Sequence, residues 1–168
     1  MPPLTTDEFR KALSQFPTGV TILTVMREHE HASDPGVHGM TANSFTSVSL
    51  EPLQILVCVD TRAKTHTLVQ KHKFFGVNFL HEDHESWARF FAKPEQHPSE
   101  LERLGIKFRI SERGTPLLEA AIVQLDCELV SVTQAGDHSI FLAQVHEIDT
   151  HDGSPLLFHA GSFKRFSS

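Results

Sequence analysis

Five Ser and Thr hydroxyls and one Asn amide crowd into the stretch from His38 to Pro52, "HGMTANSFTSVSLEP", directly ahead of the apolar run "LQILVCVD". Ser, Thr and Asn favour turns for backbone reasons alone, but donors at this density also suit a ligand rich in hydrogen-bond acceptors. In extended geometry Ser47 and Ser49 fall on one face and Thr46 and Val48 on the other, so one ligand meets only one of the two sets. A second polar group follows in "DTRAKTH". There Arg62 and Lys64 supply positive charge, and Thr65 stands at a helix start whose free N–H groups favour an anion. A third lies in "AGDHSIF", where Gly136 and Asp137 make a tight turn and His138 projects from the start of the next strand.

The chain carries 12 histidines in 168 residues, which raises a metal-binding reading. Its candidate clusters are His29, His31 and His38, or His81 and His84 with Glu82 and Asp83. Neither has a fixed ligand spacing such as H-E-x-x-H, and no metal site is expected. Cys58 and Cys127 sit in apolar alternating segments without CxxC spacing, so reduced, buried thiols are expected rather than a disulfide framework or a zinc knuckle. A net charge of −6, with 15 scattered basic residues, argues against a nucleic-acid surface. No stretch reaches the roughly 18 apolar residues of a membrane span, and "MPPLTTDEFR" lacks the order of a signal peptide. The expected location is cytoplasmic.

The elements that must position these groups follow from periodicity. "TTDEFRKALSQF" opens with cap residues and places Phe9, Leu13 and Phe16 on one helical face beside Ala12, stopped by Pro17. "GVTILTVMRE" alternates as a strand, and "HEHASDPGVHG" reads as a polar hairpin loop. Further strands are expected at "MTANSFTSVS", "QILVCVD", "FFGVNFL", "IVQLDCELVSVTQAG", "HSIFLAQVHEID" and "PLLFHAGSFKRF". "AKTHTLVQKH" and "DHESWARFFA" read as short helices, and "KPEQHPSELERLGIKFRISERGTP" as a long surface loop with a helical turn. With 39% hydrophobic residues the chain suits one compact domain. Many strands with few helices predict an antiparallel barrel, closed or nearly so, with helices packed outside.

"FRKALSQFPTGVTILTV", "GMTANSFTSVSLEPLQILVCVD", "FGVNFL", "GTPLLEAAIVQLDCELV", "GDHSIFLAQVHEI" and "PLLFHAGSF", in this order, resemble the flavin reductase family of two-component flavin-dependent monooxygenases. The resemblance spans nearly the whole chain and implies a single flavin reductase-like domain over 1–168. It implies a mainly β fold, a six-stranded antiparallel FMN-binding split β-barrel with a few flanking helices, assembled as a homodimer. The implied reaction is hydride transfer from NADH or NADPH to FMN or FAD, with the reduced flavin passing to a separate monooxygenase component. The alternative is a dimeric flavin-binding protein for redox storage or sensing, without NAD(P)H turnover.

Site residues implied by the resemblance begin with the strand through Thr41, Ala42, Asn43 and Ser44, where Asn43 and Ser44 face the isoalloxazine edge. Ser47 and Ser49 are expected near the ribityl phosphate, and Lys64 with Thr65 at the phosphate itself. His138, the histidine of "GDH", is expected beside nicotinamide and flavin, where it positions the hydride acceptor. The chain departs from the family pattern twice. It has Leu142 and Ala143 where a glycine commonly follows the histidine, and it has Phe163 in place of the C-terminal tyrosine. A phenyl face at Phe163 still stacks on a ring, but the hydroxyl hydrogen bond is lost. Aromatic residues of "SWARFFA" are expected to support the dimer.

Overall fold

A computed structural model of the protein describes residues 3–29 and 34–166. The chain opens with helix α1 (Thr6–Leu13), whose N-terminus is closed by a reciprocal capping box between Thr5 and Glu8. None of its residues is buried, and Phe9, Leu13 and Phe16 remain 58%, 57% and 74% exposed. The amphipathic face predicted for this helix therefore stays largely uncovered by the described residues.

Strands β1 (Thr18–Gly19), β2 (Thr21–Met26), β3 (Val37–Ala42), β4 (Thr46–Leu50) and β5 (Leu53–Asp60) come next, then α2 (Lys64–His72) and β6 (Phe74–Phe79). Helices α3 (Glu85–Phe91) and α4 (Pro98–Arg103) precede the short pair β7 (Phe108–Ile110) and β8 (Pro116–Leu118). Two long strands, β9 (Val123–Ala135) and β10 (His138–Thr150), and the hairpin β11 (Leu157–His159) and β12 (Ser162–Lys164) complete the fold. The segment read as a long loop with a helical turn thus holds α4, β7 and the first residue of β8.

The main sheet is antiparallel with strand order β3-β2-β6-β9-β10-β5-β4, seven strands where six were expected. The extra strand arises because the predicted "MTANSFTSVS" strand breaks at Asn43–Phe45 into β3 and β4. That break dictates the shape of the sheet. Laid flat, its two edge strands would stand about 29 Å apart, six gaps of roughly 4.8 Å. The chain from Ala42 to Thr46 reaches at most about 15 Å, four Cα steps of ~3.8 Å. The sheet must roll until its edges meet, giving a barrel with a seam between β3 and β4.

Inward residues of β5 and β10, including Val57, Val59, Phe141 and Ala143, fill the barrel with Leu23, Val25, Phe75 and Val77, and Val69 of α2 plugs one end. A second core outside the barrel packs Trp87, Ala88, Phe90 and Phe91 of α3 against Ile22, Leu80, Leu118 and Leu156. These "SWARFFA" aromatics are at most 6% exposed within the single chain, so they cannot serve as a dimer surface, contrary to the sequence expectation. Gly39 lets α3 approach β3, since a β-carbon there would overlap the Phe91 ring. Among the described residues no helix is long and apolar enough to cross a membrane.

Candidate active site

At the seam the Ser44 side chain ties the chain to β5. Ser44 Oγ donates to the Cys58 carbonyl at 2.9 Å and accepts from the Cys58 N–H at 3.1 Å. Thr46 pairs with Leu56 in the β4–β5 ladder, so the same register carried two residues back sets Ser44 opposite Cys58. The hydroxyl replaces the backbone groups that the ladder lacks there. This engagement makes Ser44 a latch and leaves its hydroxyl no free donor for a ligand.

Beside the latch lies a cavity of about 380 Å³, lined by Phe16, Thr18, Asn43, Phe45, Thr46 and Phe79 among others. Phe45 meets Phe79 edge to face at 5.0 Å between ring centroids. The buried Thr18 Oγ1 has no hydrogen-bond partner. Aromatic walls, a side-chain amide and an orphaned hydroxyl suit a flat ring with polar edges. Thr41 turns its hydroxyl away, onto the Ala88 carbonyl at 2.6 Å, and the Ala42 carbonyl accepts from the Thr21 hydroxyl at 2.8 Å. Thr41 and Ala42 are thus open to a ligand only through remaining main-chain groups.

A β-bulge overturns the shared face expected for Ser47 and Ser49. Ser47 pairs with Ile55 and Ser49 with Gln54, because the register shifts at Val48. Ile55 and Gln54 are consecutive in β5 and point to opposite faces, and their partners do the same. Ser49 Oγ accepts the Glu51 N–H at 3.2 Å and so supports the turn, whereas Ser47 is exposed at the strand edge.

At the far end of β5, Asp60 grips the Arg62 guanidinium at 2.8 Å, and this hydrogen bonding holds the Asp60 carboxyl well below the usual carboxylate range. Arg62 is thereby neutralised locally. Lys64, the first residue of α2, makes no ion pair among the described residues and lines a small polar pocket with Arg27 and His38. Thr65 is 1% exposed and its hydroxyl meets His38 Nε2 at 3.0 Å, so it faces inward rather than toward a ligand. Burial, reinforced by the Lys64 and Arg27 charges, pulls the His38 pKa down to about 4.

His138 pairs across the ladder with Asp60 and shares its face. Because Ser44 is tied to Cys58, two residues before Asp60, His138 stands roughly two strand spacings, ~10 Å, from the Asn43 segment. Its Nδ1 lies 2.8 Å from Asp137 Oδ1. The hydrogen bond to His138 lowers the Asp137 pKa, so the carboxylate is ionised and accepts only. Nδ1 therefore carries the proton and Nε2 is turned free. One residue on, Ser139 is buried and bonded to His66 Nε2 of α2 at 3.0 Å, which anchors the turn.

Phe163 is not gathered with these groups. It packs edge to face on Phe158 at 5.4 Å under the Arg89 guanidinium, and Phe158 in turn pairs with Thr18 of the cavity wall. Ala143 is fully buried in the barrel, so its methyl is a core group. His81 and His84 stand 5.8 Å apart, with His84 stacked on Trp87 at 3.9 Å. No three potential ligands cluster for a metal among the described residues, and His31 lies outside them. Sequence reasoning missed Thr18, Phe16 and Phe45 as cavity residues. Phe16 reads there only as part of a helical face stopped by Pro17, and Thr18 is passed over.

A rolled sheet with a side-chain latch, an aromatic cavity at its seam and an oriented imidazole two strands away makes a barrel whose cavity suits a flat, polar-edged ligand. Comparison with known proteins gives that barrel its family. The family described as "Flavin reductase like domain" matches residues 13–167, and the chain belongs to it. A "NADH-dependent flavin reductase" of a Rhodococcus species is 40% identical over 163 residues, covering 97% of this chain and 88% of that protein. The reductase component of a 4-nitrophenol 4-monooxygenase/4-nitrocatechol 2-monooxygenase from Rhodococcus opacus is 34% identical, covering 98% and 83% of the two chains. The solved structure of a Streptomyces globisporus NADH:FAD oxidoreductase, in complex with NAD and FAD fragments, superposes with a TM-score of 0.84 at 34% identity, covering 96% and 92%.

Proposed function

We propose that this protein is an NAD(P)H:flavin oxidoreductase that transfers a hydride from a reduced nicotinamide to FMN or FAD and supplies the reduced flavin to a separate monooxygenase. The observation that carries the reading is the open aromatic cavity at the barrel seam, within a chain of the flavin reductase family. The unpartnered Thr18 hydroxyl and the Asn43 amide match the acceptor-rich edge of an isoalloxazine. When bound, the flavin supplies the hydride acceptor. The chain's own residues bind, orient and exclude water.

Asn43 and Thr18 hold the ring edge, and Ser47 meets the phosphate end of the tail. His138, its tautomer held by Asp137, presents Nε2 where the nicotinamide arrives and aligns it for transfer. Phe163 acts from behind Phe158 and supports the cavity wall. The working unit is a homodimer. Exposed Val48, Leu50 and Leu53, the half-buried outer residues Leu56, Ile140 and Leu142, and the open face of α1 form an apolar surface that a second copy would cover.

Purified protein mixed with NADH and excess flavin tests the reading. Catalytic loss of NADH absorbance supports it, and binding of flavin without turnover would replace it with flavin storage or sensing.

A further inference from the structure

His138 is held from outside its own strand pair. On one side of it, the Asp137 carbonyl accepts from the Thr61 N–H at 3.0 Å and from the Thr61 hydroxyl at 3.1 Å. On the other, the buried Ser139 hydroxyl meets His66 Nε2 at 3.0 Å. Both ties come from the stretch between the end of β5 and the first turn of α2, so the backbone flanking His138 takes its place from one short segment. That segment is itself fixed. Thr65 is hydrogen-bonded to His38 of β3 at 3.0 Å, and Val69, one helical turn on, is fully buried in the end of the barrel.

The His66 ring is oriented as well as anchored. It lies against Phe141 of β10, with 5.3 Å between ring centroids and 31° between planes. The Gln70 side-chain nitrogen donates to the His66 carbonyl at 3.2 Å, which sets the amide's orientation, and it stands 3.1 Å from His66 Nδ1 against 3.4 Å from Nε2. An amide N–H at Nδ1 makes that nitrogen the acceptor, so the ring proton is on Nε2 and is donated to Ser139 Oγ. Side chains alternate along β10, so Ser139 turns inward to α2 while His138 turns outward to the site. A shift of Ser139 is therefore a shift of His138. Alignment is the demand of hydride transfer, and a misplacement of ~1 Å costs on the order of a hundredfold in rate. Neither His66 nor Ser139 lines the seam cavity. We propose that His66 is a positioning residue for hydride transfer, setting the place of His138 through the Ser139 hydroxyl. The proposal rests on the reading of His138 as the nicotinamide-facing group of a flavin reductase.

The full chain, loaded with flavin and mixed with NADH, tests it through variants that remove or keep the donor. His66→Leu removes the Nε2 donor and Ser139→Ala its acceptor. Each should lower kcat/KM for NADH about tenfold, while flavin affinity by fluorescence titration stays within about twofold. His66→Gln, whose amide nitrogen reaches the position of Nε2, should restore most of the loss. In a His138→Ala background, His66→Leu should have no further effect, because its influence passes through the missing imidazole. Should His66→Leu not fold, Ser139→Ala carries the same cycle. Losses that multiply in the double variant, or a folded His66→Leu enzyme with the wild-type rate, overturn the proposal. Wild-type protein without turnover refutes the enzymatic reading instead, and the positioning is then judged by NMR: His66→Leu should shift the His138 ring signals, and unchanged signals overturn it.

Discussion

Replacing Ser44 with Ala separates a latch from a ligand. The hydroxyl makes two hydrogen bonds to the Cys58 backbone, at 2.9 and 3.1 Å, and the site is half-buried. Its removal leaves a donor and an acceptor unpaired. Full burial would cost about 1–3 kcal/mol for each such group, and partial access of water brings the sum to about 1–2 kcal/mol. For a chain of this size that lowers Tm by about 3–8 °C. The assay is calorimetry of flavin-free protein, with hydrogen exchange of the Cys58 amide as a local readout. Exchange there should quicken more than in β9 or β10, because the seam opens first. If Ser44 instead bound flavin directly, Ser44→Ala would weaken flavin affinity and leave the flavin-free protein as stable as the wild type. A Tm within about 1 °C of wild type, with the Cys58 amide still protected, refutes the latch.

Other consequences follow from the same geometry. Ser47→Ala should weaken flavin binding about tenfold or more by losing a charge-assisted bond, while Ser49→Ala, whose hydroxyl serves the turn, should leave it unchanged; fluorescence titration of the single variants decides. His138→Ala should slow flavin reduction and raise the nicotinamide KM without displacing flavin, and Asp137→Asn should produce a milder version of the same split, read by stopped-flow absorbance. His38 has a folded pKa of about 4, below its unfolded value of 6.5, so the unfolded state binds more protons between these limits. Its contribution to stability is full above pH 6.5 and is lost as pH falls toward 4; urea midpoints across this window should fall less steeply in His38→Gln.

Alternation and caps made most of the barrel legible in advance. The strands of "QILVCVD" and "HSIFLAQVHEID" lie where their period-two pattern places them, and Thr5 with Glu8 opens α1 as a capping box. The site was less legible, because a hydroxyl bonded to backbone and one facing a ligand are written with the same letter. Ser44, Thr41 and Thr65 look like ligands in the sequence and spend their hydroxyls on Cys58, Ala88 and His38. The bulge at Val48 carries no glycine or proline to announce it, yet it moves Ser49 to the opposite face from Ser47. Thr18 drew no notice because its significance lies in a missing partner, which only packing reveals.

Turnover stoichiometry tests the central claim most directly. With protein at a small fraction of both substrates, NADH oxidation should proceed through many equivalents per protomer and produce free reduced flavin that a monooxygenase or dioxygen can consume. Oxidation that stops at one equivalent per bound flavin, or that never begins while flavin is bound, would contradict it.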